Sequence, residues 1–281
     1  MIPDVLGVIG LGAIGGSIAA RAVRAGIPHV LGYAASTRDR SMAARAGAVT
    51  DLATNAEHVA ARADFVVLAV PPRACLELLE RLATPIRDRD ALCTDVASVK
   101  SPLADSAAAF GLRHHYAGSH PLAGSHHTGF AAASPERFER TTVYVTALEG
   151  GERAATEVAD FWTRVCGAEP VRIDPRRHDE IVAWTSHLPH AVASALAHAF
   201  ARSGPKGVTL GPGGREATRI VAGGAEMWAD ILQLNREAVL ARLDDVEASV
   251  SLLREALVAD DGDALKAWLQ TAADWRKTVE Q

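Results

Sequence analysis

The sequence lacks any dense cluster of lysine or arginine, and its 29 basic and 34 acidic residues leave a formal net charge of -5. Nucleic acids bind concentrated positive surfaces that displace their counterions, so we expect no nucleic-acid partner. Cysteine is also scarce: Cys75, Cys93 and Cys166 lie far apart in the chain and form no Cys-x-x-Cys pair. This usage argues against a disulfide framework and against a structural zinc site, and it suits a reducing compartment.

The sequence also lacks a long apolar run near its start. Its first apolar segment, Val5–Ile9, has the length of a strand and ends in glycines, without the charged stretch and cleavage site of a leader sequence. Neither a signal peptide nor a membrane span fits this pattern. We therefore expect a cytoplasmic protein that does not contact a membrane.

The first half of the chain alternates short β-branched segments with longer helical ones. The predicted strands cover residues 5–9, 29–33, 65–70, 91–95 and 142–147, and the predicted helices cover 14–25, 38–46 and 73–83. Such a βαβ rhythm predicts an α/β domain over residues 1–173, built on a parallel, doubly wound sheet of the Rossmann type. The apolar content of 48% is sufficient for a sizeable core.

Residues 174–281 are almost entirely helical in pattern, which predicts a second, all-helical domain. Residues 178–201 read as one long helix, and a loop rich in glycine and proline follows at 204–214. Farther on, apolar residues recur at spacings of four and three, in the order Val239, Leu243, Val246, Val250, Leu253 and Leu257. This apolar stripe indicates either a helix of the intramolecular core or a helix pair across a homodimer interface, and the pattern alone leaves both open.

A glycine turn, Gly10-Leu11-Gly12-Ala13-Ile14-Gly15, joins the first predicted strand to the first predicted helix. In this context a G-x-G-x-x-G motif binds a dinucleotide. The glycines permit a tight turn, close approach of backbone to a pyrophosphate and close packing of helix on strand. The helix N-terminus at Ala13 and Ile14 offers N–H groups to the phosphates. Val70 and Pro71, at the end of another strand, complete the predicted cofactor site.

The end of the second predicted strand bears on the choice between NAD and NADP. It lacks the carboxylate that would bind the ribose 2′-hydroxyl of NAD. Ser36, Thr37 and Arg38 follow instead, and their hydroxyl groups and guanidinium suit a 2′-phosphate. The residues therefore favour NADP, with NAD as the alternative. Asp39 weakens this preference, and a plainer interpretation is that Arg38 only begins a solvated helix.

His120 is the candidate proton acceptor. It lies in Gly118-Ser119-His120-Pro121-Leu122-Ala123-Gly124, a segment that we expect to be a loop near the carboxyl edge of the sheet. An imidazole titrates at about pH 6.5, so it accepts a proton readily at neutral pH. The segment Asp95-Val96-Ala97-Ser98-Val99-Lys100, directly after another predicted strand, is expected nearby.

These two segments resemble the prephenate/arogenate dehydrogenase family of tyrosine biosynthesis. The resemblance continues through His178-Asp179-Glu180, Ser186-His187-Leu188-Pro189-His190, Thr218-Arg219-Ile220, Met227-Trp228-Ala229-Asp230-Ile231 and Asn235-Arg236. The motifs occur in the family's order and cover nearly the whole chain.

The resemblance implies an NAD(P)-dependent oxidative decarboxylation of a cyclohexadienyl substrate, either arogenate to tyrosine or prephenate to 4-hydroxyphenylpyruvate. By family analogy His120 accepts the proton of the C4 hydroxyl, and Ser98 shares that hydroxyl and orients His120. Arg219 pairs with a substrate carboxylate. The remaining residues implied to line the substrate site are His190, Ser125, Trp228 and Glu216.

Several alternatives stay open at this point. Arg219 also suits a helical i, i+3 ion pair with Glu216, which replaces the Asp that many family members carry. The spacing of His187 and His190 suggests metal ligands, but no third ligand is evident and we expect no metal.

The substrate also has alternatives. The 4-amino analogue of prephenate is one. A β-hydroxy acid is another, although the helix from His178 lacks the lysine that such dehydrogenases use. The last is a non-catalytic, NADP-binding dimer.

Overall fold

A computed structural model of the chain describes residues 2–124, 128–204, 209–222 and 224–279. Its first sheet has five strands, namely β1 (Val5–Ile9), β2 (His29–Tyr33), β3 (Asp51–Leu52), β4 (Phe65–Leu68) and β5 (Leu92–Asp95). They run parallel in the order β3-β2-β1-β4-β5. The predicted doubly wound architecture is confirmed.

Helices cover both faces of this sheet. They are α1 (Ala13–Arg24), α2 (Thr37–Arg45), α3 (Ala56–Arg62), α4 (Pro72–Asp88), α5 (Ser101–Ala109) and α6 (Glu152–Arg164). Because side chains alternate along a strand, Phe65 and Val67 of β4 pack into one apolar core, while Val66 and Leu68 pack into the other. Both faces are therefore buried, which explains the continuous apolar run of this strand.

A second sheet extends the first at its β5 edge. Its strands are β6 (Ala117–Pro121), β7 (Thr142–Ala147) and β8 (Glu169–Arg172), with β6 antiparallel and β8 parallel to β7. A parallel bridge between Cys93 and Tyr116 joins β5 to the start of β6. This bridge carries β6 past the carboxyl end of β5, which brings the end of β6 to the same edge as the segment that follows β5.

The remainder is helical. It comprises α7 (Pro175–Val182), a π-helical turn (Ala183–His187), α8 (Leu188–Ser203), α9 (Pro212–Ala217), a 3-10 turn (Arg219–Ala222), α10 (Ala225–Leu234), α11 (Arg236–Val258) and α12 (Gly262–Thr278). The predicted helix over 178–201 therefore contains a π turn, and the predicted loop over 204–214 includes the first residues of α9. π turns inside α-helices occur frequently at functional sites.

The apolar stripe on α11 divides into two parts. Val239 is only 5% exposed and belongs to the core of the chain, whereas Val250 and Leu257 are 55% and 60% exposed. An intramolecular role therefore accounts for the start of the stripe and not for its end. In the part of the chain that the structure describes, no helix is long and apolar enough to cross a membrane.

Candidate active site

The glycine turn at the end of β1 is tightly packed on its inner side. Gly10 has a φ of +98°, in the left-handed region, and a Cβ there would lie 2.1 Å from the carbonyl oxygen of Ala69. A Cβ on Gly15 would lie 1.8 Å from the carbonyl oxygen of Gly10. Both glycines are therefore required for α1 to approach β1 and the end of β4.

The outer side of the turn is open. A Cβ on Gly12 would meet no atom of the described residues within 4 Å. Gly12 is also the N-cap of α1, whose first turn carries no acidic residue and, among the described residues, no side-chain cap. The first N–H groups, which include those of Ala13 and Ile14, have no acceptor within the helix, and the helix dipole adds positive charge. This space and these donors fit the pyrophosphate of a dinucleotide. Val70 borders the turn, and Pro71 is the exposed N-cap of α4.

The turn between β2 and α2 exposes the three residues predicted to favour NADP. The Ser36 hydroxyl accepts the backbone N–H of Asp39 at 3.1 Å and so caps α2. Thr37 and Arg38 are exposed beside it. Asp39 is the acidic residue that weakened the NADP prediction. Its carboxylate accepts a hydrogen bond from the backbone N–H of Phe130 at 2.9 Å.

Sequence reasoning missed Arg40, which holds this turn together. Its guanidinium donates to the carbonyl oxygens of Ala34 and Ala35 and, at 3.1 Å, to the Thr37 hydroxyl. It also lies 5.9 Å from the centroid of the Tyr33 ring. The i, i+3 spacing from Thr37 was the one signal in the sequence that pointed to this role.

A fully buried ion pair lies beneath the segment that follows β5. The Lys100 ammonium donates to the Asp95 carboxylate and, at 2.7 Å, to the carbonyl oxygen of Ser119 on β6. The Tyr116 hydroxyl donates to the other Asp95 oxygen at 2.5 Å, and burial raises the pKa of Tyr116 well above its usual value. The pair therefore joins the end of β5 to β6.

His120 lies on strand β6, not in the loop that we predicted. Ladder pairing with Tyr144 of β7 holds its backbone. The prediction missed this strand because glycine, serine and proline in the segment have low strand propensity, and pairing with β7 overrides that propensity. The expectation that His120 lies near the carboxyl edge of the sheet holds, since β6 passes the end of β5.

The Nδ1 atom of His120 lies 2.8 Å from Nε2 of His178, on α7. Nδ1 of His178 lies in turn 2.8 Å from the Asp179 carboxylate. Sequence reasoning quoted His178 and Asp179 as family motif residues and assigned them no role. We call His120, His178 and Asp179 the base cluster.

The electrostatics of the base cluster keep its imidazoles neutral. Burial holds the pKa of His120 well below its usual value, and the Lys100 ammonium lowers it further, as would His178 or His187 in its protonated form. Burial also lowers the pKa of His178, against the opposing effect of the hydrogen bond to Asp179. A neutral His120 can accept a proton.

Ser98 is half-buried in the segment after β5. Among the described residues, no hydrogen bond joins its hydroxyl to His120, whose Nδ1 is engaged by His178. The predicted contact of Ser98 with the substrate remains a prediction, and the described partner that orients His120 is His178.

The helical part brings together two residues predicted to line the substrate site. The rings of His190 on α8 and Trp228 on α10 stack with centroids 3.5 Å apart and an interplanar angle of 6°. His187, in the π turn, meets Trp228 edge-on at 6.3 Å. The pKa of His120 depends on His187, and that of His187 depends on His190, so these imidazoles lie close together.

His187 is completely buried, and burial lowers its pKa to about 4. The side-chain amide of Asn235 donates to Nδ1 of His187 at 3.0 Å and to the backbone oxygen of Asp179 at 2.8 Å. Nε2 of His187 has no partner among the described residues. The amide therefore links the π turn to the base cluster.

Arg219 and Glu216 form the expected ion pair, at 3.1 Å, and both side chains are about two-thirds exposed or more. They do not share one helix as predicted, because α9 ends at Ala217 and the 3-10 turn begins at Arg219. The predicted substrate residue Ser125 lies outside the described residues. Among those described, no group of three or more His, Cys, Asp or Glu side chains could hold a metal ion.

The chain was compared with known proteins. The family model for the prephenate dehydrogenase nucleotide-binding domain matches residues 19–170, and that for the prephenate dehydrogenase dimerization domain matches residues 174–271. Prephenate dehydrogenase from Bacillus subtilis is 32% identical over 97% of this chain and 75% of its own length. Cyclohexadienyl dehydrogenase from Zymomonas mobilis is 33% identical over 92% of this chain and 90% of its own length.

A solved structure agrees with these matches. Prephenate dehydrogenase from A. aeolicus, in complex with hydroxyphenyl propionate and NAD+, superposes with a TM-score of 0.88 at 28% identity, covering 98% of this chain and 97% of that one. The predicted resemblance and the two-part fold are confirmed. The chain belongs to the prephenate dehydrogenase family and is an oxidoreductase that uses a nicotinamide cofactor.

Proposed function

We propose that this chain oxidatively decarboxylates a cyclohexadienyl substrate, prephenate or arogenate, and that His120 is the proton acceptor. The observation that carries this proposal is the half-buried, neutral imidazole of His120 near the end of β6. The glycine turn follows β1 at the carboxyl edge of the same parallel sheet that β6 extends, so the proposed proton acceptor and the proposed cofactor site share one edge of the sheet.

The proposed reaction balances without a net proton. A nicotinamide cofactor held at Gly10, Gly12 and Gly15 would supply the acceptor for the C4 hydrogen and its electron pair. His120 takes the proton of the C4 hydroxyl at Nε2, since Nδ1 is occupied by His178. The bond from C1 to the ring carboxylate breaks, carbon dioxide leaves, and the electron pair enters the ring. The phenolate oxygen then takes its proton back from His120.

We assign the substrate's carboxylates to the helical part. Arg219 carries an exposed guanidinium that can exchange Glu216 for a substrate carboxylate, since exposed ion pairs are weak. His190 and Trp228 offer a stacked surface for the ring side of the substrate. Ser98 and Ser125 complete the proposed site, and Glu216 is the acid that would favour the amine of arogenate over the keto group of prephenate.

For the cofactor we propose NADP in preference to NAD. Ser36 and Thr37 offer hydroxyl groups and Arg38 an exposed guanidinium, on a turn that Arg40 stiffens. The Asp39 carboxylate is engaged by Phe130, so it opposes a 2′-phosphate less than the sequence alone suggested. The structure of the A. aeolicus relative contains NAD+, so the proposed preference of this chain for NADP is tested by measuring both cofactors.

We also propose a homodimer formed through the C-terminal helices. The exposed end of the apolar stripe on α11, at Val250 and Leu257, would be buried there. The matching family model describes this part of the chain as a dimerization domain. Sedimentation at micromolar concentration should give twice the mass of one chain, and a monomer at that concentration would contradict the proposal.

A two-by-two assay tests the function, with prephenate and arogenate each combined with NAD and NADP. We expect cofactor reduction with at least one substrate, faster with NADP, and stoichiometric carbon dioxide with tyrosine or 4-hydroxyphenylpyruvate as product. Binding of NADP without reduction in any combination would contradict the proposal. It would favour a non-catalytic dimer or a dehydrogenase for another substrate, such as the 4-amino analogue or a β-hydroxy acid.

A further inference from the structure

We propose that His178 and Asp179 are positioning residues that act through His120. They set its tautomer so that the Nε2 lone pair faces the substrate, and they share the positive charge while His120 holds the substrate's proton. This inference rests on the proposed function for the role of His120 as base, and it extends that function by assigning the groups that make the base competent.

The direction of each hydrogen bond follows from the carboxylate at the end of the chain. An ionised carboxylate only accepts hydrogen bonds, so Nδ1 of His178 must carry the hydrogen in the 2.8 Å contact with Asp179. Nε2 of a neutral His178 is then a bare acceptor. In the 2.8 Å contact between the two rings, Nδ1 of His120 must therefore be the donor. What is left on His120 is an unprotonated Nε2.

Asp179 is held as an anion by its surroundings. One of its oxygens accepts the backbone N–H of Lys100 and the other that of Ser101, both at 2.8 Å. These N–H groups lie at the N-terminus of α5, where the helix dipole favours negative charge. Burial would raise the pKa of Asp179, but the hydrogen bonds from His178 and these backbone groups lower it overall.

The base cluster also joins the two parts of the chain. His120 belongs to β6, and the N–H groups that hold Asp179 belong to α5, whereas His178 and Asp179 belong to α7, the first helix of the helical part. His120 therefore has its competent tautomer only when α7 packs against both α5 and β6. The base and the helical part that carries His190 and Trp228 are assembled together.

The proton path in the base cluster balances at every step. When Nε2 of His120 takes the substrate's proton, Nδ1 of His120 can pass its own hydrogen to Nε2 of His178. The positive charge then lies beside the Asp179 carboxylate. The reverse transfers return the proton to the phenolate.

The charges around His120 and His178 make the Asp179 carboxylate necessary. The Lys100 ammonium disfavours protonation of His120, and the Asp95 carboxylate is paired with Lys100. The ring of Tyr144 on β7 meets the His178 ring edge-on, with centroids 5.5 Å apart, and this contact is between two rings and not between charges. Among the described residues, Asp179 is the carboxylate bonded directly to the pair. Without it, the nearest remaining carboxylate is that of Asp95, which is already paired with Lys100.

The first test reads the tautomer directly in the unliganded wild-type protein. Two-bond 1H–15N NMR of the histidine rings distinguishes a protonated from a bare ring nitrogen, and the His120 signals are assigned by their loss in His120→Asn. We expect hydrogen on Nδ1 and none on Nε2 of His120 at neutral pH. Hydrogen on Nε2 would overturn the proposal. The measurement needs no turnover, so a failure of the proposed function leaves it unaffected.

The second test uses Asp179→Asn, with Glu180→Gln as a matched control that removes a neighbouring but exposed carboxylate. A buried aspartate that holds a histidine in its working tautomer contributes up to about 10⁴ in kcat in the serine proteases. We expect Asp179→Asn to lower kcat by about 100-fold or more, with cofactor affinity and KM nearly unchanged.

The pH profile separates positioning from a structural role. Loss of the anion disfavours the imidazolium, so the acid limb of kcat should move to lower pH in Asp179→Asn and stay in place in Glu180→Gln. Partial recovery of kcat in Asp179→Glu would support the inference. A loss of kcat below about threefold, or an unmoved acid limb in a folded Asp179→Asn protein, would overturn it.

Discussion

The glycine turn and the base cluster, which are the proposed cofactor site and the proposed proton-acceptor site, are built by different physical means. The glycine turn is local: six consecutive residues, 10–15, shape an open space and present backbone N–H groups to it. The base cluster is distributed: His120 and His178 are 58 positions apart in the chain and meet only because β6 and α7 pack together. The glycine turn contains no ionisable side chain, whereas the base cluster consists of three.

The difference implies different sensitivities. A site made of backbone is sensitive to the addition of a methyl group and indifferent to pH. A site made of buried ionisable groups is sensitive to every charge near it, because charges in a low-dielectric interior are poorly screened. The following predictions test this comparison, from the largest expected effect to the smallest.

The ion pair beneath the base cluster should be the most sensitive point of the fold. Lys100→Met leaves the Asp95 carboxylate buried without its cation, which should lower the free energy of unfolding by about 3–5 kcal/mol in urea denaturation. Adding Asp95→Asn to that variant should recover part of the loss. Arg177→Ala, which breaks an exposed ion pair with Glu180, is the control and should cost less than about 1 kcal/mol. Equal losses in the two single variants would contradict the account.

Acidification should destabilise the region of buried imidazoles. The pKa of His187 is about 4 in the folded protein, against about 6.5 in the unfolded chain. The unfolded state therefore binds more protons between these values, and stability falls as the pH drops from about 6.5 towards 4, by up to about 3 kcal/mol from this residue. His187→Gln should flatten the pH dependence of urea unfolding, and His29→Gln, at an exposed site, should not. A slope unchanged by His187→Gln would refute this assignment.

A methyl group in the glycine turn should weaken cofactor binding without harming the fold. Gly12→Ala adds a Cβ that meets no described atom within 4 Å, so its melting temperature should match the wild type. The methyl occupies the approach of the pyrophosphate, and we expect the cofactor Kd to rise about tenfold, or 1.4 kcal/mol. Gly262→Ala, also in open space, is the control for both readouts. Wild-type affinity in Gly12→Ala would show that the pyrophosphate binds elsewhere.

The smallest expected effect concerns the 2′-phosphate. Arg38→Ala removes an exposed guanidinium from the turn after β2 and should weaken NADP binding about fivefold, or 1 kcal/mol, while leaving NAD binding unchanged. Arg45→Ala, near the other end of α2, removes the same charge as a control. If Arg38→Ala weakened NAD binding and NADP binding equally, Arg38 would have a structural role and would not select NADP.

The same contrast explains how far the sequence predicts this molecule. Gly10, Gly12 and Gly15 could be assigned individually, because their spacing within six consecutive residues indicates the turn, although the atom that crowds Gly10 belongs to the distant Ala69. The strand that carries His120 could not be predicted, since its residues have low strand propensity and only the partner β7 makes them extended.

The contacts around the base were also beyond the sequence pattern. His178 and Asp179 appeared among the family motifs, but nothing in the spacing shows which ring nitrogen faces which partner. The ion pair of Lys100 with Asp95 could not be predicted from the sequence either. It matters for stability because both side chains are completely buried, and that burial depends on packing against β6 and Tyr116. The roles of Ser98, Arg219 and Glu216 stay predictions from the family.

The central claim, that His120 is the proton acceptor for a cyclohexadienyl substrate, is tested most directly by His120→Asn. Initial rates with the better substrate and cofactor pair would be measured beside the Kd for the cofactor. We predict that kcat falls by about 100-fold or more, as expected for loss of a general base, while the cofactor Kd stays within twofold of wild type. Near-normal turnover by His120→Asn would contradict the account.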